Sequence, residues 1–137
     1  MTGPQDVFVA LGSNLGDRHA LLASARTAMD AIPQTRIAAA STIEETAPLG
    51  GRHQPAYLNQ MVRLTTGLDP YTLLDHLQRI ESTLGRVRTE HWGSRSIDLD
   101  IVQYGALTIQ DHRLTLPHPG LAERDFWQRE LAELHAT

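Results

Sequence analysis

The spacing of hydrophobic and polar residues in the first third of the chain predicts a strand followed by a helix. A short apolar run over 6–11 is typical of a buried strand, and it ends at a glycine-bearing turn over 12–16. Asp17 is expected to cap the helix, and Pro33 to stop it. The inward-facing stripe of this helix has helical spacing and consists of Leu21, Leu22, Ala25, Met29 and Ile32.

The remaining pattern predicts four extended segments, a second helix and an amphipathic C-terminal segment. Asp69 and Pro70 are typical of a helix start, and Gly85 of a helix end. This helix is expected to bury Leu73, Leu74, Leu77, Ile80 and Leu84. The other predicted elements are an extended segment over 36–46, strands over 58–66 and 97–103, a turn over 104–106, a short strand near 106–110, and an amphipathic helix over 124–134.

The order strand–helix–strand–strand–helix–strand predicts a ferredoxin-like α+β sandwich, with a mainly antiparallel sheet and helices packed on it. Two split βαβ units build this fold, and both helices then cover one face of the sheet. The first and last main strands are commonly neighbours in this topology. We therefore expect the turn over 12–16 to approach the strand over 97–101.

Composition and net charge argue against several classes of protein. The 137 residues are 41% hydrophobic and 20% charged, as expected for a single globular domain over 1–137. The net charge of −4 argues against an extended nucleic-acid surface, and no apolar run is long enough to cross a membrane. The absence of cysteine excludes disulfides and thiolate metal sites. The lack of cysteine and of a signal-peptide pattern fits a cytoplasmic protein. We also expect a monomer with small-molecule substrates.

Asp98 and Asp100 form the most informative pattern in the sequence. In a strand their side chains share one face, and Ile97, Leu99 and Ile101 line the other. Two adjacent carboxylates repel each other, and a divalent cation held by carboxylates and substrate phosphates would relieve that repulsion. The residues that could hold the phosphates lie just upstream: Arg86, Arg88, Trp92 and Arg95. The pattern favours a metal–polyphosphate site; a half-buried strand with two solvated aspartates is the alternative.

Three further segments carry candidate chemistry, each with a structural alternative. The loop over 12–17 could bind an anion at a helix N-terminus, but these six residues alone favour a simple turn with a helix cap. Tyr57 and Asn59 share one side of a strand and could clamp a flat heterocycle, or could be a packed ring and a turn residue. His118 lies between two prolines and could contact a phosphate, although loop histidines are usually solvated.

Together these segments resemble the 6-hydroxymethyl-7,8-dihydropterin pyrophosphokinase family, in one order from Val9 to about Phe126. The matching motifs are residues 12–17, 46–50, Gln54-Pro55 with 57–59, 78–81, 85–88, 92–95, 97–101, and 116–119 with Arg124 and Phe126. The resemblance implies transfer of a pyrophosphoryl group from ATP, the co-substrate, to the hydroxymethyl oxygen of the reduced pterin. AMP is released, and the step belongs to folate biosynthesis.

The resemblance also implies roles for individual residues. Asp98 and Asp100 would hold two Mg²⁺ ions, while Arg86 and Arg95, on a mobile loop, would steady the phosphates. The ATP-binding residues would be Arg88, Trp92, His118 and Arg124, with Gln78, Glu81, Ile101 and Thr115 near the adenosine. The pterin would lie between Tyr57 and Phe126 and meet Thr46, Pro48, Leu49 and Asn59. No residue is assigned as a general base.

Two other functions stay open at this point. A nucleotide-sugar transferase also binds a divalent ion through Asp-x-Asp, although this chain is short and lacks a sugar-nucleotide domain. A non-catalytic module that binds pterin or nucleotide is the second alternative. AMP release with the pterin alcohol as acceptor would favour the pyrophosphokinase, and nucleotide binding without magnesium would favour the module.

Overall fold

The structure, a computed structural model, describes residues 3–14, 16–47, 56–85 and 97–136. Seven strands, three α-helices and one 3-10 helix follow each other in these ranges. In chain order they are β1 (Gln5–Ser13), α1 (Arg18–Asp30), β2 (Thr35–Ala40), β3 (Glu44–Thr46), β4 (Tyr57–Thr66), α2 (Pro70–Gly85), β5 (Asp98–Tyr104), β6 (Ile109–Gln110), β7 (Thr115–Leu116), the 3-10 helix (Pro119–Glu123) and α3 (Asp125–His135).

The main sheet has the strand order β2-β4-β1-β5, and all of its pairs are antiparallel. The short β3 pairs with β4 beyond the end of β2. This order confirms the predicted ferredoxin-like α+β sandwich. It also brings β1 beside β5, so the predicted approach of the first turn and the last main strand is confirmed at the pair Gly12 and Asp98.

The two faces of the sheet carry different cores. On one face, α1 and α2 pack their apolar stripes against β1, β4 and β5; Leu22, Met29, Leu73 and Leu77 are fully buried there. The other face buries a smaller cluster, which α3 covers with Trp127, Leu131 and Leu134. Since α3 covers only part of this second face, the neighbouring part can form a site.

Both predicted helix starts are confirmed by their caps. The Asp17 carboxylate accepts a hydrogen bond from the Ala20 amide at 3.0 Å. Asp69 accepts bonds from the Tyr71 and Thr72 amides and from the Thr72 hydroxyl, and these bonds, chiefly from Thr72, lower the pKa of Asp69. Among the described helices, none has both the length and the apolar character that a membrane crossing requires.

The prediction of one extended segment over 36–46 was wrong, because Ser41 interrupts it. The Met61 amide donates to the Ser41 hydroxyl at 2.9 Å instead of to a strand carbonyl, and Gln60 donates to the Ser41 carbonyl at 2.7 Å. A serine side chain that replaces a backbone acceptor breaks a ladder locally. Strands β2 and β3 therefore lie on either side of residues 41–43. The short strand near 106–110 is confirmed as β6, and its partner β7 was not predicted.

Glu130 on α3 is a buried acid that the sequence pattern did not identify. Its side chain is 1% exposed, and burial, reinforced by the neighbouring Glu44 carboxyl, raises the pKa of Glu130 to about 9. Two ionised carboxylates can only accept hydrogen bonds, and both Glu130 oxygens lack a donor within the described ranges. A protonated Glu130 can donate to Glu44, so the neutral acid is the form that fits the packing of α3 against β3.

Replacing Glu130 with Gln should remove a pH dependence of stability. Because the pKa of Glu130 is higher in the folded than in the unfolded protein, the folded state holds a proton that the unfolded state releases above about pH 4.5. The wild-type free energy of unfolding should fall, by at most about 1.4 kcal/mol per pH unit, as pH rises toward 9. Urea denaturation at several pH values should show that the free energy of unfolding of Glu130→Gln, relative to that of wild type, increases toward alkaline pH.

The exposed Glu123 supplies the control for this experiment. Glu123→Gln should follow the wild-type pH profile. Parallel wild-type and Glu130→Gln profiles between pH 5 and 9 would contradict a buried, protonated Glu130.

Candidate active site

Asp98 and Asp100 project from β5 onto the face of the sheet that α3 only partly covers. Both are half-buried, while Leu99 and Ile101 between and beyond them are buried on the opposite face, as the alternation predicted. The neighbouring strand β1 places Gly12 opposite Asp98 and Ala10 opposite Asp100. Because these two residues have little or no side chain, the surface beside the carboxylates is a depression.

This depression is a cavity of about 320 Å³, which we call the first cavity. Its walls combine both carboxylates with aromatic and amide side chains from β4 and α3. The lining residues are Ala10, Leu11, Gly12, Thr46, Ala47, Tyr57, Asn59, Asp98, Asp100, Arg124, Phe126 and Trp127.

The β4 wall of the first cavity holds Tyr57 and Asn59 on one side of the strand. The Asn59 amide nitrogen donates to the Thr46 hydroxyl at 2.6 Å, which orients the amide. A Cβ at Gly12 would lie 3.4 Å from the Asn59 amide oxygen, so Gly12 keeps this edge open. Burial and, to a lesser extent, the Asp98 charge raise the pKa of Tyr57. Tyr57 therefore presents a neutral ring and hydroxyl to the cavity at physiological pH.

An ion pair fixes the strand that carries Thr46. Arg18, at the start of α1, donates to Glu45 at 3.0 Å and to the Ala56 carbonyl at 2.7 Å. These bonds join β3 to the beginning of β4. They connect the first helix to the wall of the cavity rather than to its floor.

Another part of the lining of the first cavity comes from the start of α3. Trp127 is 4% exposed, and the Arg124 guanidinium carbon lies 4.7 Å from the centre of its ring. Phe126 is half-buried, with its ring centre 6.4 Å from that of Trp127 at an interplanar angle of 75°. Phe126 and Tyr57 thus line the same cavity from different elements, as expected for two plates around a flat ligand.

A second cavity, also of about 320 Å³, adjoins the first, and Asp100 lines both. It lies between α2, β5 and the segment that leads into the 3-10 helix. The lining residues are Leu74, Gln78, Glu81, Leu99, Asp100, Ile101, Asp111, His112, Arg113, Leu114, Thr115, His118 and Pro119.

His118 is fixed in one orientation at the edge of the second cavity. Its Nδ1 accepts a hydrogen bond from the Gly120 amide at 2.9 Å, and its ring meets Trp127 edge-on, with centres 5.0 Å apart. Burial lowers the pKa of His118, which the Asp100 charge opposes and the Arg124 charge assists. The ring is therefore neutral near pH 7, and its proton lies on Nε2 because Nδ1 is the acceptor.

Glu81 supports the strand that carries the carboxylates. Its Oε2 accepts a hydrogen bond from the Leu99 amide at 2.6 Å. Since β5 is the edge strand, this amide would otherwise lack a strand partner. Glu81 therefore fixes β5 midway between Asp98 and Asp100, in addition to lining the second cavity.

The carboxylates fit a magnesium site of the kind that substrate phosphates complete. Their oxygens are the hard ligands that Mg²⁺ prefers, and they face one shared space. No group of three or more His, Cys, Asp or Glu side chains suited to a metal occurs among the described residues. Among the described residues, the donors at this position are thus two carboxylates, and a phosphate-bound Mg²⁺ usually takes one or two carboxylates from a protein.

The structure brings twelve of the predicted site residues to these two adjoining cavities. The first is lined by Asp98, Asp100, Arg124, Thr46, Tyr57, Asn59 and Phe126, and the second by Asp100, Gln78, Glu81, Ile101, Thr115 and His118. The remaining six predictions lie outside the described residues: Arg86, Arg88, Trp92, Arg95, Pro48 and Leu49.

Several lining residues were not predicted. Ala10 and Gly12 form the floor, and the only available signal was their small size within an otherwise bulky strand. Trp127 was considered only as part of the C-terminal helix, where its large ring is typical of a core position. Arg113 lines the second cavity, pairs with Asp75 at 2.8 Å and stacks on Tyr71.

Comparisons with known proteins agree on one family. The family described as 7,8-dihydro-6-hydroxymethylpterin-pyrophosphokinase matches residues 8–136. A protein of Haemophilus influenzae named 2-amino-4-hydroxy-6-hydroxymethyldihydropteridine pyrophosphokinase is 43% identical over 119 residues, 87% of this chain and 74% of that protein. A Pseudomonas aeruginosa protein of the same name is 42% identical over 130 residues, 95% of this chain and 80% of that protein.

A solved structure supports the fold independently. The crystal structure of an HPPK-DHPS protein in complex with substrates superposes with a TM-score of 0.60 at 15% sequence identity. The match covers 82% of this chain and 30% of that one. At this identity the likeness concerns the arrangement of strands and helices.

Removing the Glu81 carboxyl should loosen β5. We expect Glu81→Ala to lower the free energy of unfolding by about 1–3 kcal/mol, because the Leu99 amide loses a charged acceptor. Glu81→Gln keeps an acceptor oxygen and should lose less. Urea denaturation of the three proteins measures both effects; equal stability of Glu81→Ala and wild type would refute this support.

Proposed function

The chain belongs to the 7,8-dihydro-6-hydroxymethylpterin-pyrophosphokinase family, and from this premise we propose that it is an ATP-dependent pterin diphosphokinase. It transfers the pyrophosphoryl group of ATP to the hydroxymethyl oxygen of 6-hydroxymethyl-7,8-dihydropterin. The products are the pterin diphosphate and AMP. The reaction is a step in folate biosynthesis.

The observation that carries this proposal is the meeting of two different cavities at Asp100. The first offers aromatic plates and an oriented amide, which suit a flat heterocycle with polar edges. The second contains five of the side chains assigned to ATP. Two substrates in adjoining cavities bring the acceptor oxygen and the phosphate chain together at the carboxylates.

The chemical step requires alignment and charge neutralisation more than a covalent intermediate. The pterin hydroxymethyl oxygen attacks the β-phosphorus of ATP, the bond from that phosphorus to the α,β-bridging oxygen breaks, and the hydroxyl proton is released. Arg124 contributes a positive charge beside the first cavity. We propose that Arg86, Arg88, Trp92 and Arg95 contact the phosphate chain and the nucleotide during this step.

Asp98 and Asp100 are proposed to bind two Mg²⁺ ions together with the ATP phosphates. When bound, magnesium neutralises phosphate charge and orients the phosphate chain. The contribution of the protein is to hold two carboxylates on one strand face at the junction of the cavities. The Glu81 bond to Leu99 and the pairing with β1 keep that strand in place.

The remaining residues are proposed to set substrate identity. Neutral His118 can donate from Nε2 to a phosphate or ribose oxygen, with Gln78, Glu81, Ile101 and Thr115 around the adenosine. Tyr57 and Phe126 stack on the pterin, and Thr46, Pro48, Leu49 and Asn59 meet its edge. We propose further that the protein acts as a cytoplasmic monomer with a single domain over 1–137.

Asp98→Ala and Asp100→Ala should each reduce AMP release at least about a hundredfold, since each removes a carboxylate from the proposed magnesium site. The assay measures AMP with the reduced pterin alcohol as acceptor. Asp6→Ala, at the distant and exposed end of β1, is the matched control and should retain wild-type activity. Full activity of both site variants would defeat the metal assignment.

Calorimetry with a non-hydrolysable ATP analogue adds a readout that is independent of turnover. Binding by wild type should require magnesium, and the two site variants should lose that requirement along with most of the affinity. Magnesium-independent binding together with an absence of AMP release would favour a non-catalytic binding module.

Removing either aromatic plate should weaken pterin binding selectively. We expect Tyr57→Ala and Phe126→Ala to raise KM for the pterin about tenfold, because a stacked ring contributes about 0.5–1.5 kcal/mol beyond its buried area. KM for ATP should change little. Tyr57→Phe keeps the ring and should stay within about twofold of wild type. A larger change in KM for ATP than for the pterin would contradict this placement.

A further inference from the structure

Gly120 lies between two side chains of the site. It is a buried residue of the 3-10 helix over Pro119–Glu123, two residues after His118 and four before Arg124. Its own conformation does not require glycine, because its φ is not among the positive values in the chain. Any requirement for glycine at this position therefore comes from the atoms that surround it.

That space is occupied by the Arg124 guanidinium. A Cβ added at Gly120 would lie 1.7 Å from Arg124 Nη1 and 3.0 Å from its Cζ, far inside van der Waals contact. The guanidinium thus occupies the position where any other residue would place its side chain. From there it stacks on Trp127 and borders the first cavity.

Gly120 also contacts His118. Its amide donates to His118 Nδ1 at 2.9 Å, and an added Cβ would lie 3.2 Å from the same atom. One small residue thus makes contact with both site side chains of this segment. After a substitution at position 120, the backbone amide could still donate to His118, whereas the Arg124 guanidinium could not keep its position.

We propose that Gly120 is a positioning residue for pyrophosphoryl transfer: its missing side chain is the space through which Arg124 reaches the face of Trp127 and the edge of the first cavity. The inference rests on the proposed function and extends it to a residue that lines neither cavity. It predicts that a methyl group at position 120 acts chiefly through Arg124, because the added Cβ would lie 1.7 Å from Arg124 Nη1 but 3.2 Å from His118 Nδ1.

Gly67 provides a matched control. A Cβ there would lie 2.9 Å from the Gln34 side-chain oxygen, so it too would crowd the end of a flexible polar side chain. Gly67 and Gln34 lie outside both cavities and share a backbone hydrogen bond at the start of β2. Gly67→Ala should therefore keep the activity of wild type.

The test is a double-mutant cycle on the full chain with Gly120→Ala and Arg124→Ala. Steady-state AMP release gives kcat and the KM for each substrate, and thermal unfolding gives Tm for all four proteins. Gly120→Ala should lower kcat/KM for ATP about tenfold or more, because displacement of a positioned group by about 1 Å can cost as much as a hundredfold. In the Arg124→Ala background the same substitution should cost less than twofold.

Stability keeps the test decisive if Gly120→Ala folds poorly. A clash with the guanidinium is relieved when Arg124 is shortened, so the double variant should recover any Tm that Gly120→Ala loses. An equal loss of Tm in both backgrounds would overturn the inference, as would an equal loss of kcat/KM in both or a Gly120→Ala enzyme as active as Gly67→Ala.

The proposed function fails by a different result. If wild type releases no AMP with the pterin alcohol, the diphosphokinase proposal is wrong whatever the cycle shows. A different result is that wild type releases AMP and Arg124→Ala lowers kcat/KM, but the effects of the two substitutions add independently. In that case only the positioning role of Gly120 is refuted, and the diphosphokinase proposal stands.

Discussion

The site depends on the antiparallel pairing of β1 with β5, because this pairing places the two smallest side-chain positions of β1 beside the two carboxylates of β5. Gly12 lies opposite Asp98, and Ala10 lies opposite Asp100. Any bulky residue at those positions would fill the part of the first cavity that lies beside the carboxylates. The carboxylates remain half-buried in a depression with a rigid floor, where their charge is less screened than on an open surface.

The second face of the sheet is divided between a core and a site by the position of α3. Trp127, Leu131 and Leu134 cover the sheet on one side, and the start of the same helix supplies Phe126 as a cavity wall. Trp127 takes part in both, since it is buried in the core and its ring also contacts His118 and Arg124. The packing of α3 on the sheet therefore also builds part of the site. The buried acid Glu130 lies on this same helix.

The support of the site comes from hydrogen bonds that approach β5 from its free edge. Glu81 accepts from the Leu99 amide, and the His118 amide donates to the Val102 carbonyl at 2.9 Å. An edge strand normally exposes such groups, and here two elements of the second cavity satisfy them. Glu81 and His118, which are proposed to bind the nucleotide, thus also hold the strand that carries Asp98 and Asp100. A ligand in that cavity contacts elements already fixed to β5.

The sequence by itself determined the order of the main strands and helices, the caps of α1 and α2, and the shared face of Asp98 and Asp100, since local periodicity and capping chemistry act over a few residues. It also indicated the family, through the order of several short motifs along the chain. Periodicity and capping do not account for that order. Tertiary structure alone decided the break at Ser41, the roles of Ala10 and Gly12 as a floor, the burial of Glu130 and the space that Gly120 leaves for Arg124. Each of these depends on which atoms of a distant segment lie opposite a residue, and only strand register and helix packing fix that.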